Sequence, residues 1–64
     1  MRHTEFWNRL EHHLGTAYYR TWAEQHVIAG LGRRTPREAL DQGVPPKQVW
    51  EAVWQVLELP PSEK

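Results

Sequence analysis

The sequence contains no cysteine, and this absence excludes several classes of small protein. Without cysteine the chain cannot be a disulfide scaffold, a zinc module with cysteine ligands or an iron–sulfur protein. It also lacks any apolar run approaching the roughly 20 residues that a membrane span needs. Residues 1–9 hold no uninterrupted apolar segment, so we expect no signal peptide and a soluble cytoplasmic protein.

A surplus of charge is missing as well. Eight Lys and Arg balance eight Asp and Glu, so the formal net charge is zero, which is not typical of a nucleic-acid-binding protein. Aromatic residues, in contrast, are plentiful, with four Trp, two Tyr and one Phe in 64 residues. A domain of this size buries only about 60% of its unfolded surface, so it needs large core residues. The aromatic content is therefore explained mainly by the core.

Apolar residues recur at the spacing of an α-helix, and no segment alternates at the spacing of a strand. The first helix is predicted to begin at Glu5, after an N-cap at Thr4, and to end at Gly15. The second helix is predicted over residues 17–27, after an N-cap at Thr16. Both segments place their apolar residues on one side of the helix.

The third helix has the clearest local signal in the chain. Thr35 is a good N-cap, Pro36 suits the first helical position, and Glu38 completes a capping box. The helix is predicted to be short, over residues 36–42, because Gly43 follows it.

The fourth helix, predicted over residues 46–58, has an apolar arc of about 200° centred on Val53, which is wider than one packing face requires. We therefore expect it at the centre of the fold, with helices 1 and 2 packed on it. The predicted fold class is all-α, a small single-domain bundle of three main helices plus one short helix. The domain is expected over residues 1–59, with a flexible C-terminal tail over residues 60–64.

The histidines and the serine do not indicate an active site. His12 and His13 are adjacent, so on a helix they point about 100° apart and cannot easily hold one ion together. Ser62, the only serine, lies in the tail, so no nucleophile–base pair is available. We expect no enzyme activity, metal ion, cofactor or small-molecule substrate. His26 falls in the middle of the apolar arc of helix 2, and we expect a buried polar residue there.

One candidate function is protein binding through the fourth helix. Trp54 lies at the outer edge of the apolar arc, beside Lys47 and Glu58. The side chain of Trp54 could simply cover helix 1 or the prolines of the tail. It could also be a partly exposed anchor, the residue type that dominates interface hot spots. These three residues form the candidate protein interface, for an unknown protein partner or for self-association.

The alternative function is DNA binding. Helix 3, the turn and helix 4 have the proportions of a helix-turn-helix motif. Arg33, Arg34 and Arg37 cluster at the start of helix 3, and Lys47 opens helix 4, so these four are the candidate nucleic-acid contacts. Against this hypothesis, Glu38 stands where such motifs usually have an apolar residue. DNA binding would weaken steeply with salt, whereas protein binding through aromatic residues would not.

Several motifs in the chain together match a known family, in order and in spacing. They are Thr4-Glu5-Phe6-Trp7, Trp22-Ala23-x-x-His26-Val27, Leu31-Gly32-x-Arg34-Thr35, Ala39-Leu40-x-x-Gly43-Val44 and Pro46-Lys47-x-Val49-Trp50-x-Ala52-Val53. The sequence resembles the short actinobacterial proteins grouped as domain of unknown function 3046, over roughly residues 1–60. That family has no established activity, cofactor or catalytic residues. Its members are often encoded near the recombinase gene, so the resemblance implies a link to DNA recombination and repair.

The chain departs from the family pattern at two positions. Pro45 stands where an acidic helix cap is expected, which should weaken the start of helix 4. Trp54 stands where a cysteine is common, so an interface role for Trp54 need not extend to the family.

Overall fold

Four α-helices without a strand make up the fold, in a computed structural model that describes residues 1–64. In chain order they are α1 (His3–Leu14), α2 (Tyr19–Gln25), α3 (Pro36–Asp41) and α4 (Pro46–Val56). Two 3-10 turns follow α2 and α4, at Ala29–Leu31 and Pro61–Glu63. The predicted all-α fold class is therefore confirmed. None of the helices combines the length and the apolar character that a membrane span requires.

The core lies between the first and the last helix. Val49, Trp50 and Val53 of α4 are fully buried, and they face Phe6 and Leu10 of α1. The rings of Phe6 and Trp50 meet edge to face, with centroids 6.1 Å apart. As predicted, α4 is central, since it packs on α1, α3 and the first 3-10 turn. In contrast to the prediction, α2 packs mainly on α1 and α3.

Of the three predicted N-caps, at Thr4, Thr16 and Thr35, only the one at Thr35 forms. The Thr35 hydroxyl accepts from the Glu38 N–H at 3.1 Å, and the Glu38 carboxylate accepts from the Thr35 N–H at 2.9 Å. The caps at Thr4 and Thr16 are wrong. Thr4 lies inside the first turn of α1, and residues 16–18 form a turn after Gly15, which has a positive φ of 89°.

The second helix is shorter than its apolar pattern predicts. It ends at Gln25, and His26 is extended, with φ −86° and ψ 107°. Side chains beyond that point no longer follow the helical wheel. Val27, the last residue of the predicted helix, is 57% exposed, whereas Ile28, just beyond it, is buried. The Ile28 N–H donates to the Arg34 carbonyl at 3.0 Å, and this bridge turns the chain toward α3.

Both α3 and α4 end in a Schellman motif, in which a left-handed residue reverses the chain. After α3 this residue is Gly43, with φ 92°, and the Val44 N–H donates to the Ala39 carbonyl at 3.0 Å. After α4 the residue is Glu58, with φ 54°. The Leu59 N–H then donates to the carbonyl of Trp54 at 3.2 Å. The second motif therefore forms without the glycine that usually occupies this position.

Candidate functional site

The Schellman motif at Glu58 directs the last residues of the chain back along α4. The Leu59 N–H is bonded to the carbonyl of Trp54, so residues 60–64 begin beside the Trp54 side chain. Pro60 is extended, with φ −67° and ψ 158°, and the 3-10 turn Pro61–Glu63 follows it. The sequence predicts a flexible tail here, separate from the domain. The structure instead places this segment, here called the tail, against α1 and α4.

Two indole N–H groups hold the tail. Trp54 Nε1 donates to the carbonyl oxygen of Pro60 at 2.9 Å, and Trp50 Nε1 donates to that of Glu63 at 2.8 Å. Lys64 Nζ lies 5.3 Å from the centroid of the Trp54 ring, within cation–π range. These contacts involve backbone acceptors three residues apart, so they fix the path of the tail along the helix.

The first helix completes the site with a histidine. His13 stacks on the Trp50 ring, with centroids 5.9 Å apart and planes at 29°. Its Nε2 lies 3.3 Å from a carboxylate oxygen of Glu63. We call the surface formed by His13, Trp50 and Trp54 the tail site. Sequence reasoning missed the roles of His13 and Glu63, because nothing in their local sequence relates positions fifty residues apart.

The three predicted interface residues do not form one patch. Lys47 and Trp54 share a side of α4 but are two turns apart, a rise of about 10 Å. Glu58 lies beyond the end of the helix, so its predicted place beside Trp54 on the wheel is wrong. Trp54 is half-buried, and the tail covers part of it, which is the first of the two roles that the sequence left open.

The four candidate nucleic-acid contacts are all exposed, but they are divided between surfaces. Arg37 lies 3.3 Å from an oxygen of Asp41 in its own helix, α3, and 4.0 Å from an oxygen of Glu24 in α2. Arg34 lines a separate cleft of about 260 Å³, between the first 3-10 turn and α4. Arg33 has a left-handed backbone, with φ 62°. The arginine cluster in the sequence therefore does not become a single basic surface.

A second cleft, of about 220 Å³, lies beside Trp7 and contains the guanidinium groups of Arg20 and Arg37 with the carboxylate of Glu24. Arg20 Nε donates to the Tyr19 hydroxyl at 2.9 Å, and this hydrogen bond raises the pKa of Arg20 above its ordinary value. Arg37 is paired with acidic side chains, whereas the hydroxyl partner of Arg20 is neutral, so Arg20 keeps its charge in this exposed cleft.

His26 is exposed, and the prediction of a buried polar residue is wrong. Because α2 ends one residue before His26, the His26 side chain does not continue the apolar face of that helix. The imidazole stacks instead on the outer side of Trp22, with centroids 4.8 Å apart and planes at 13°. No group of three histidine, aspartate or glutamate side chains is placed to hold a metal ion.

A family match extends over almost the whole chain. The family described as "Protein of unknown function (DUF3046)" matches residues 1–62. No curated protein and no solved structure matches the chain. The match confirms the resemblance drawn from the sequence motifs, and it includes the Schellman turn and the first residues of the tail. The description assigns no activity, so no functional residue can be transferred.

Proposed function

Because the chain belongs to the DUF3046 family of proteins of unknown function, we propose its role from its own surface. We infer a non-catalytic, cytoplasmic protein-interaction module that binds its partner through the region of Trp54. One observation carries this proposal, namely that the Trp54 indole N–H binds a peptide carbonyl while its ring stays partly open to solvent. Tryptophan, which combines a large apolar ring with a polar N–H, is among the residue types most enriched at the energetic centre of protein interfaces.

The charge distribution supports a protein partner over DNA. The chain is neutral, and Arg37 is shared between Glu24 and Asp41. Duplex DNA is bound mainly through phosphate contacts from clustered basic side chains. Arg34 and Arg37 line different clefts, so they do not supply such a cluster. DNA binding through α3 and α4 stays the alternative hypothesis.

A capture experiment tests the proposal. The purified chain is the bait for an extract of its native organism, at about 50 and 200 mM salt, beside Trp54→Ala and a matched control, Trp7→Ala. Trp7 is also half-buried, but it lies on the Tyr19 side of α1. We expect captured proteins that persist at the higher salt, are lost with Trp54→Ala and are kept with Trp7→Ala. The resemblance to the family makes the recombinase the first protein to look for among them.

The same samples address the alternative. Fluorescence anisotropy with a labelled duplex would detect DNA binding, which should fall steeply between the two salt concentrations. The protein-interaction proposal would be overturned if Trp54→Ala captured the same proteins as the natural chain and DNA binding depended on Arg33 and Arg34.

A further inference from the structure

The contacts of the tail define what the tail site can recognise. We propose that the tail site binds proline-containing, acidic peptide segments of other proteins, and that residues 60–64 occupy it as an internal ligand. This inference rests on the proposed function, because it states the kind of partner that the Trp54 region accepts.

The backbone of Pro60 has the geometry of such a ligand. Its φ of −67° and ψ of 158° are those of the polyproline II helix, which has no internal hydrogen bonds and leaves its carbonyls free. Aromatic grooves recognise this conformation because it is already ordered before binding. The Trp54 N–H donates to the Pro60 carbonyl at 2.9 Å, so the site binds an extended backbone at this point.

Trp50 requires that the occupant be a peptide. Its side chain is fully buried, and its N–H has the Glu63 carbonyl as its partner. Leaving a buried donor without an acceptor is costly. An occupant must therefore present a second carbonyl three residues after the first, which an apolar surface cannot do. This requirement selects a segment with a fixed backbone path.

Charge around the site favours an acidic side chain at the second contact. His13 Nε2 lies 3.3 Å from the Glu63 carboxylate, and the Arg9 guanidinium lies 5.8 Å from the centroid of the Trp50 ring. Both groups belong to α1 and contact the ring of the buried Trp50. A peptide with an acidic residue three positions after its proline matches this arrangement.

The tail is suited to exchange because it buries little of its own surface. Pro60, Pro61 and Ser62 are exposed, and the Glu63 side chain is 40% exposed. The tail is held by two backbone carbonyls, the partly solvated pair of Glu63 with His13, and the cation–π contact of Lys64 with Trp54, and a segment with the same groups can replace it. Its advantage is its covalent link, which gives it a high effective concentration. A competing peptide therefore binds only the fraction of molecules with an open site.

The experiment uses the full chain, labelled with ¹⁵N, and follows the indole N–H signals of Trp50 and Trp54 by NMR. The probe is a synthetic peptide with the sequence of residues 58–64. It is titrated into the natural chain, into Pro60→Gly/Pro61→Gly, which keeps both carbonyls but loosens the tail, and into the control Ser62→Ala. A second peptide carries serine at both proline positions.

We expect the peptide to shift the Trp54 signal and to bind the double-glycine variant at least about fivefold more tightly than the natural chain. Two prolines restrict the free tail enough to account for this factor. Ser62→Ala should match the natural chain, and the serine peptide should bind at least about fivefold more weakly. Trp54→Phe, which keeps an aromatic ring but lacks the N–H donor, should also weaken binding.

Three results would overturn the inference: no binding to any of the chains, equal affinity for the natural chain and the double-glycine variant, or equal binding of the serine peptide. A concentration-dependent dimer that the double-glycine variant abolishes would also overturn it, since the occupant would then be the tail of a second copy. The proposed function fails separately. If capture depends on Trp54 but the peptide does not bind, only the peptide inference is lost; if the peptide binds and capture ignores Trp54→Ala, the proposed function is lost.

Discussion

Trp50 and Trp54 are one helical turn apart, and the structure predicts that their truncation has very different consequences. Trp50 is fully buried among Phe6, His13 and the tail, whereas Trp54 is half-buried. Truncating a buried tryptophan to alanine costs about 3–5 kcal/mol. A domain of this length has a free energy of unfolding of about 3–10 kcal/mol. Trp50→Ala should therefore remove at least about a third of the stability, and at the lower end of that range it unfolds the domain.

For Trp54→Ala we expect a loss of about 1–2 kcal/mol. The loss consists of one hydrogen bond, worth about 1 kcal/mol, and part of the apolar surface of the ring. Urea denaturation followed by far-UV circular dichroism gives both free energies of unfolding without using tryptophan fluorescence, which the substitutions themselves change. The variant should stay folded at 25 °C, and the capture experiment depends on this.

Phenylalanine variants keep the comparison measurable if Trp50→Ala does not fold. Trp50→Phe retains most of the ring but leaves a cavity and releases the Glu63 carbonyl, so it should cost about 1–3 kcal/mol. Trp54→Phe should cost less than about 1 kcal/mol. Equal losses for the two positions would refute the reasoning, because Trp54 would then belong to the core as fully as Trp50.

Three further substitutions test local features by the same denaturation assay. Thr35→Ala should cost about 1 kcal/mol and Thr35→Ser much less, because the capping box needs only the hydroxyl; equal effects would mean that the cap contributes nothing. Glu58 and Gly43 both have a left-handed backbone, which favours glycine. Glu58→Gly should therefore stabilise the domain by about 0.5–1 kcal/mol, and Gly43→Ala should destabilise it by about 1 kcal/mol. Changes of the same sign in the free energy of unfolding would contradict this. His26→Ala should cost about 0.5 kcal/mol, because the stacking contact with Trp22 is lost. A loss above about 2 kcal/mol would instead indicate that the His26 side chain is buried.

The sequence predicts those parts of the fold that depend on neighbouring residues. The start of α3 follows from Thr35 and Glu38, which are three positions apart and need no other partner. The central place of α4 follows from the width of its apolar arc. Pro45 behaves as its chemistry requires, because α4 begins after it without a side-chain cap. These features are local, so periodicity and capping rules are enough to find them.

The errors arise where a helix ends earlier than its pattern. A helical wheel assumes that the helix continues, and this assumption fails at His26 and at Glu58. α2 gives way to the bridge between Ile28 and Arg34, which are six positions apart on either side of the first 3-10 turn. α4 ends in a Schellman motif at a glutamate, where sequence rules look for glycine.

The tail site could not be predicted because its acceptors are backbone carbonyls. Every residue carries one, so no residue type marks Pro60 or Glu63 as the partner of a tryptophan. The two prolines were a usable signal, and they indicate an extended segment that could lie on Trp54. The pairing with Trp50 depends on the turn at Glu58, and its geometry becomes visible only in three dimensions.

The packing of α1 on α4 also has a consequence for how the domain folds. The other helix pairs are neighbours in the chain, so their contacts can form quickly after local collapse. Phe6 and Leu10, on the buried side of α1, pack against residues of α4 that are about forty positions further along the chain. These residues are Val49, Trp50 and Val53. We therefore expect folding in a single cooperative step, in which formation of the contact between α1 and α4 is the slow event. Substitutions at Phe6 and Trp50 should lower the folding rate, whereas substitutions in the tail should mainly change the unfolding rate.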